Sequence, residues 1–326
     1  MLMTAGAALA EQVVNLYSQR HYPADKEVFA LFTEKTGIKV NVVTANADEL
    51  IKRLQSEGEK SPADVLITKD AARLYWAESQ GLYQPVQSEV LVKNVPAHLR
   101  DPDMKWFGFT QRARVLVYAK DRVKVGELKT YEDLTKPEWK GRVIARSASN
   151  IYNQSLLSGM IATKGEKEAI LWAVKVRQNM ARKPQGSDRD QIRAVASGLA
   201  DVAIVNSYYL GLLVNSEDPK DRELAAKVKI AFPNQEGRGT HVNISGIGVC
   251  KHAKNKDNAV KLIEFLSSEE VQALYPEKTY EYGLSLKMTT ELHKSWGDFK
   301  PDTLNLKALG VNNAKAIKIF QAAKWE

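Results

Sequence analysis

Short apolar runs alternate with segments of helical period along the first part of the chain. Residues 13–17, 38–43 and 65–68 are compact and rich in β-branched side chains, as is typical of strands. Between them, residues 24–36 and 48–57 place their apolar side chains on one helical face. This β-α-β-α-β order predicts a parallel sheet that is covered by helices.

The same alternation returns later in the chain, after a long strand-like run, TQRARVLVYAK. The further strands are predicted at 110–120, 143–145, 202–205 and 242–249. The further helices are predicted at 71–79, 166–180, 188–197 and 258–275, with one more that ends near 163 and a helix pair at 306–325. Two α/β lobes result, and the strands near 114–118 and 242–249 are candidates for crossing between them at a hinged cleft.

Composition and charge narrow the class of protein. The chain has 326 residues, of which 44% are hydrophobic, enough for two domains with real cores. The net charge is +8, but basic and acidic residues are interspersed, so we expect no nucleic-acid partner. The single cysteine excludes an internal disulfide.

The first ten residues, MLMTAGAALA, are small and apolar and end in an A-x-A pattern before Glu11. This pattern is typical of the end of a secretory signal peptide, although a basic region is missing before it. We therefore expect residues 1–10 to be a signal-peptide remnant, and the alternative is an ordinary N-terminus.

The sequence carries none of the common enzyme motifs. G-x-S-x-G, the P-loop, G-x-G-x-x-G and H-E-x-x-H are all absent, and the five histidines lack ligand spacing. We therefore expect a binding protein and not an enzyme.

Four tyrosines follow predicted strands: Tyr22, Tyr152, Tyr208 and Tyr209. In open α/β sheets, ligands bind outside the carboxyl ends of the strands. Phenolate oxygen is a hard donor that suits Fe(III). If Asn206 or Ser207 caps a helix that begins at Tyr208, both neighbours can face one cleft. The alternative is that these tyrosines only pack, with half-buried rings.

Several stretches of the sequence resemble the periplasmic ferric-ion-binding proteins of bacterial ABC importers, in particular their cyanobacterial FutA type. The matching stretches include NLYSQRHYPADKEVFALFTEKTGIKV, SPADVLITKDAARLYWAESQGLYQPV, RARVLVYAK, YEDLTKPEWKGRV, IVNSYYLGLL and NISGIGVCKHAKNKDNAVKLIEFLSSEEVQALY. They cover most of the chain from residue 11 to about residue 284. The resemblance implies a two-lobed α/β fold, the class II periplasmic-binding-protein fold with transferrin-like lobes, whose hinged cleft closes on one iron ion.

The lobes expected from this fold are each built from two segments. The first lobe comprises residues 11–110 and 236–285, and the second comprises 111–235 and 286–326.

The resemblance also implies a set of metal ligands. Tyr208 and Tyr209 match the paired tyrosine ligands of the family, Tyr152 matches a third tyrosine, and Tyr22 matches a ligand from the first lobe. His21 is a ligand in some relatives, and here it is a candidate fifth ligand, a hydrogen-bond donor behind the ligands, or an exposed side chain.

One position departs from the pattern of relatives that use a carboxylate ligand. Those relatives carry Glu directly after the threonine of the third strand, and this chain carries Lys69 there, which favours a site of four tyrosines. Four phenolates and Fe(III) together carry one net negative charge, so a cation is expected nearby. Arg112 is the candidate, and its alternative is to pair with a surface acid. Asn206 and the loop RSASN resemble the place where relatives hold a synergistic anion.

We therefore expect a monomeric periplasmic solute-binding protein that captures Fe(III) and delivers it to an inner-membrane ABC importer. Binding of Fe(II), the coordination number and the need for an anion stay open. The alternative is a binder of an anion or small organic solute with the same fold, which would use Ser147, Ser149, Asn150 and Arg112 as donors.

Overall fold

The computed structural model describes residues 12–20, 22–286 and 290–325. The expected signal-peptide remnant at 1–10 and the candidate His21 lie outside these described residues. The strands are β1 (Val13–Ser18), β2 (Lys39–Thr44), β3 (Val65–Thr68), β4 (Phe107–Ala119), β5 (Val143–Ile144), β6 (Val202–Asn206), β7 (Val228–Ala231) and β8 (Val242–Val249).

Helices fill most of the chain between these strands. The α-helices are α1 (Pro23–Thr36), α2 (Ala47–Glu57), α3 (Ala71–Ser79), α4 (Glu89–Asn94), α5 (Ile151–Lys164), α6 (Glu166–Gln178), α7 (Asp188–Ala196), α8 (Tyr208–Val214), α9 (Pro219–Ala225), α10 (Lys256–Leu266), α11 (Glu269–Thr279), α12 (Glu291–Trp296), α13 (Lys307–Val311) and α14 (Asn313–Ala322). Short 3-10 helices lie at Gly58–Lys60, Ala97–Leu99, Tyr131–Thr135 and Pro137–Trp139. The alternation of strands and helices predicted from the sequence is confirmed.

The strands join in the order β2-β1-β3-β8-β4-β6-β5, and β7 pairs with β4. β1 is parallel to both β2 and β3, as the β-α-β-α-β pattern predicts. β8 lies antiparallel between β3 and β4. The carboxyl ends of β1 and β3 therefore point the same way, and the segments that follow them lie at one edge of the sheet.

The long strand β4 changes partner in its middle. Its first part pairs with β8 up to Ala113, and from Arg114 onward it pairs with β6 on one side and, further along, with β7. Among the described strands, β8 pairs only with β3 and with the first part of β4. The crossing role expected for residues 114–118 therefore belongs to a strand that is longer than predicted and begins at Phe107.

Two groups of buried side chains lie on either side of this change of partner. The first core is formed by buried residues between 14 and 109 and between 244 and 284, together with Leu306 and Leu309. The second core is formed by buried residues between 113 and 228 and between 316 and 325, together with Tyr282.

Side chains of β4 and β6 alternate between the two faces of the sheet in the second core. Leu116 and Ile204 face one cluster, whereas Val117 and Val205 face the other. Because both faces are covered, residues 202–205 of β6 are all apolar, which is why the sequence shows a continuous run there.

The amphipathic segment 258–275 is not one helix as predicted but two. α10 ends at Leu266, and Ser268 adopts an extended backbone before α11 begins. Glu269 and Glu270 lie in the first turn of α11, where the helix dipole favours negative charge. The continuous apolar period concealed this break.

Candidate metal site

The tyrosine pair lies at the predicted junction between a strand and a helix. β6 ends at Asn206, and α8 begins at Tyr208. The centroids of the Tyr208 and Tyr209 rings are 4.2 Å apart, and the ring planes are inclined by 32°. The two neighbours therefore lie side by side, as a helical turn allows and a strand would not.

The junction is not held by the side-chain cap that the sequence predicted. Ser207 already has helical backbone angles, and among the described residues its side chain makes no capping hydrogen bond. The Oδ1 atom of Asn206 accepts from the Nη1 atom of Arg114 at 3.1 Å. The backbone N–H of Asn206 donates to Oδ2 of Asp188 at 2.9 Å, so a buried arginine–aspartate pair fixes the end of β6.

Tyr152 reaches the same place from the first turn of α5. The Oδ1 atom of Asn150 caps this helix by accepting from the backbone N–H of Tyr152 at 3.0 Å. The hydroxyls of Tyr152 and Tyr208 are 3.5 Å apart. The structure therefore brings together two phenol oxygens that are 56 positions apart in the sequence.

Tyr22 approaches from the opposite side, directly before α1. The guanidinium of Arg20 lies over its ring, 4.5 Å from the centroid. The inner face of α1 packs in the first core through Val28 and Phe32. One tyrosine is thus carried by the first core and three by elements that pack in the second.

Burial and neighbouring groups raise the pKa of Tyr22, Tyr208 and Tyr209. Burial raises the pKa of Tyr208 well above its ordinary value, and Tyr152 and Tyr22 add to the shift. Burial also raises the pKa of Tyr22, and the charge of Glu281 adds to this shift. Burial raises the pKa of Tyr209 as well, and Tyr152 adds to that shift. Tyr208 is therefore coupled electrostatically to the other three tyrosines, as expected of a group in one cluster.

Arg112 lies in the middle of β4 and is buried. Its guanidinium carbon is 5.7 Å from the centroid of the Tyr152 ring, and its Nη1 atom donates to Oγ of Ser245 at 3.1 Å. Within the described part of the chain, its Nε and Nη2 atoms have no hydrogen-bond partner. Oε1 of Glu281 lies 3.8 Å from Nη1 of Arg112, and Glu281 is buried. The alternative, that Arg112 pairs with a surface acid, is therefore wrong.

Arg20 and Glu281 are parts of this site that the sequence reading missed. Oε2 of Glu281 accepts from Nη1 of Arg20 at 2.7 Å and from the hydroxyl of Thr110 at 2.9 Å. Burial alone would raise the pKa of Glu281, but Arg20 and Arg112 bring it below its usual value. The position of Arg20 two residues before Tyr22 was the only signal in the sequence, and no pattern marks Glu281.

Lys69 and Asp70 follow β3 and lie close to this arginine pair. Burial, Arg112 and Arg20 together lower the pKa of Lys69, so its amine lies in a positive environment. Asp70 accepts from the hydroxyl of Ser155 and from the side-chain amide of Asn243, both at 2.8 Å. Ser155 is on α5, one turn after Tyr152, so Asp70 connects the start of α3 with the helix that carries this tyrosine.

The polar residues of the alternative anion site make hydrogen bonds within their own loop. The hydroxyls of Ser147 and Ser149 are 3.1 Å apart, and Asn150 caps α5. A separate carboxylate group, Glu78 with Asp101 and Asp103, could hold a metal by geometry. The amine of Lys307 already lies 2.6 Å from Glu78 and 2.9 Å from Asp101, and therefore takes the place of a cation there.

Comparisons with known proteins agree with this picture. A family model described as bacterial extracellular solute-binding protein matches residues 15–273. Iron uptake protein A1 of Synechocystis sp. is 53% identical over 97% of this chain and 88% of its own length. No helix among the described residues is both long and apolar enough to span a bilayer.

Solved structures with the same fold include iron-binding proteins. A Trichodesmium protein (IdiA, FutA) in complex with iron and citrate has a TM-score of 0.94 at 47% identity, covering 96% of this chain and all of its own. The ferric binding protein of Campylobacter jejuni has a TM-score of 0.88 at 46% identity, covering 95% of this chain and 99% of its own. The two-lobed α/β fold expected from the sequence is confirmed.

Proposed function

The chain belongs to the bacterial extracellular solute-binding protein family, and we propose that it captures Fe(III) and delivers it to an inner-membrane ABC importer. The proposed ligands are the phenolates of Tyr22, Tyr152, Tyr208 and Tyr209. The observation that carries the proposal is the convergence of these tyrosines, with the hydroxyls of Tyr152 and Tyr208 3.5 Å apart.

The raised pKa values of Tyr22, Tyr208 and Tyr209 support a highly charged cation as the cargo. Without metal, buried phenols with pKa values above 10 stay protonated and neutral near pH 7. A metal must displace these protons, and an ion of high charge density gains the most from the resulting phenolates. Fe(III) meets this demand better than a divalent ion, so we propose that Fe(II) binds the same site more weakly.

Arg112 supports the proposal through its charge and its unused donors. Four phenolates and Fe(III) leave one net negative charge, and a guanidinium next to Tyr152 compensates it. We propose that the Nε and Nη2 atoms of Arg112, which have no partner among the described residues, donate to the metal-bound phenolates. His21 is proposed as a further ligand and Asn206 as a polar group behind the tyrosine pair.

The oligomeric state, the location and the lobe movement of the protein are also proposed. We propose that it acts as a monomer in the periplasm, binds without turnover, and closes two lobes on the metal. The first lobe is proposed to contain residues 11–110 and 236–285, and the second residues 111–235 and 286–326. The two groups of buried side chains support this division, with two exceptions: Leu306 and Leu309 pack in the first core, and Tyr282 packs in the second.

Iron loading of the purified protein tests the proposed function. We expect a coloured complex with one iron per chain and a visible phenolate-to-iron charge-transfer band. The double variant Tyr208→Phe, Tyr209→Phe should lose this band, while the matched control Tyr83→Phe should keep it. Tyr83 is buried in the first core, and its hydroxyl makes no hydrogen bond to any described residue. Iron binding without a visible band, or unchanged affinity in the double variant, contradicts the proposal.

Calorimetry separates iron from the alternative solutes. Phosphate, carbonate and polyamines are titrated into iron-free protein and compared with ferric citrate. We expect heat from ferric citrate alone, because the convergent phenols, with the hydroxyls of Tyr152 and Tyr208 3.5 Å apart, suit a hard metal ion. Saturable binding of one of the other solutes, without binding of iron, would support the alternative.

A further inference from the structure

Beneath the tyrosines lies a buried ion cluster that joins distant segments of the chain. Four of its side chains are Arg20 before α1, Arg112 on β4, Ser245 on β8 and Glu281 after α11. A second carboxylate, that of Asp25 on α1, pairs with Arg20 at 3.1 Å. Glu281 and Arg20 are 261 positions apart in the sequence, yet their side chains approach to 2.7 Å. All four side chains are buried, so solvent does little to weaken their interactions.

The two arginines meet at one oxygen atom. Nη1 of Arg20 lies 2.7 Å and Nη1 of Arg112 lies 3.1 Å from Oγ of Ser245. Both guanidiniums are always charged, so their proximity in a buried place is repulsive. Among the carboxylates of the described residues, only Glu281 forms an ion pair with both, at 2.7 Å and 3.8 Å.

Each arginine also lies against a tyrosine of the proposed site. The guanidinium of Arg20 is 4.5 Å from the centroid of the Tyr22 ring, and that of Arg112 is 5.7 Å from the centroid of the Tyr152 ring. Contacts of this kind between a cation and a ring face are attractive and orient the ring. Glu281 therefore pairs with both arginines, and each arginine in turn contacts one tyrosine of the proposed site.

We propose that Glu281 is a positioning residue for the metal site: by holding Arg20 and Arg112 together, it fixes Tyr22 and Tyr152 in the orientation that binds iron. This inference rests on the proposed function. Glu281 itself is not proposed as a ligand, since its Oε2 atom is engaged by Arg20 and Thr110. Its effect reaches the metal only through the two guanidiniums and the rings that they contact.

The chain offers a matched control for this arrangement. Asp201 also holds two arginines, with each carboxylate oxygen 2.6 Å from the Nε atom of Arg122 or Arg142. Asp201 lies directly before β6, at the end of the strand opposite to the tyrosine pair, and none of the contacts described for it involves a tyrosine. Asp201→Asn therefore removes a carboxylate shared by two arginines without touching the proposed site.

The test compares Glu281→Gln with wild-type protein and Asp201→Asn after loading with ferric citrate. The measurements are the position and strength of the charge-transfer band per bound iron, the iron affinity in competition with citrate, and the melting temperature of the iron-free protein. We expect Glu281→Gln to change the band and to weaken iron binding about tenfold or more, as loss of a contact that orients ligands does. Asp201→Asn should keep the wild-type band and affinity, whatever its melting temperature.

A second variant decides the question if Glu281→Gln does not fold. Ser245→Ala removes the oxygen at which the two arginines meet, and we expect a smaller change of the band in the same direction. A wild-type band and affinity in a folded Glu281→Gln protein, or in Ser245→Ala when the former does not fold, would overturn the inference. A wild-type protein that shows no band at all contradicts the proposed function itself, so the two failures are distinguished.

Discussion

The two sides of the tyrosine cluster are built in different ways. Tyr152, Tyr208 and Tyr209 stand in the first turns of α5 and α8, directly after strands β5 and β6 or the loop that follows them. Tyr22 is the N-cap residue of α1, where its backbone N–H donates to Oδ2 of Asp25 at 3.3 Å, and the guanidinium of Arg20 lies against its ring. The first side is fixed by local junctions of strand and helix, whereas the second adds a buried ion cluster to such a junction. We infer that three tyrosines can begin to bind iron and that Tyr22 completes the site.

The largest expected effect is the dependence of iron affinity on pH, because iron binding releases protons from the tyrosines on both sides of the cluster. Burial raises the pKa of Tyr208, Tyr209 and Tyr22, so these phenols are protonated near pH 7 and must lose protons to bind iron. Affinity at fixed free Fe(III) therefore falls as the pH falls, by about one power of ten per pH unit for each proton displaced. We expect about four protons released per iron in wild-type protein, as measured by titration in weakly buffered solution. Release of one proton or none would contradict ligation by the tyrosines.

Removing a tyrosine from the larger group should have the next largest effect. Tyr208 is only 4% exposed and its hydroxyl lies next to that of Tyr152. We expect Tyr208→Phe to weaken iron binding by more than about a hundredfold. This exceeds the loss that is usual when a residue that only orients a ligand is removed. The affinity is measured by competition with citrate, and Tyr83→Phe is the control. A loss below tenfold would mean that Tyr208 only packs.

Removing the single tyrosine of the other side should have the smallest effect. Tyr22→Phe keeps a ring for Arg20 to contact but loses one phenolate, so the iron complex should retain a weaker, shifted charge-transfer band. The number of protons released should fall by about one. The visible spectrum and the proton count are measured on the same samples. An effect of Tyr22→Phe as large as that of Tyr208→Phe would show that the two sides are equivalent.

Much of the local structure was predictable because it depends on neighbouring residues. The β-branched run of β6 and the start of α8 at Tyr208 follow from side-chain pattern, and both were predicted. The cap proposed for α8 was wrong, because Arg114 and Asp188 hold Asn206 from other strands and helices. The break at Ser268 was also missed, since an apolar period that continues across it gives no sign of an extended residue.

The sequence by itself determined most of the strands and the helices between them, which tyrosines follow strands, and which family the chain resembles. Those properties depend on residues a few positions apart, and the hydrophobic period reports them directly. Only the tertiary structure decided where β4 changes partner, between Ala113 and Arg114, and that Arg20, Arg112 and Glu281 share one buried cluster. Contacts across 261 positions depend on how whole elements pack, and no local pattern in a single sequence encodes them.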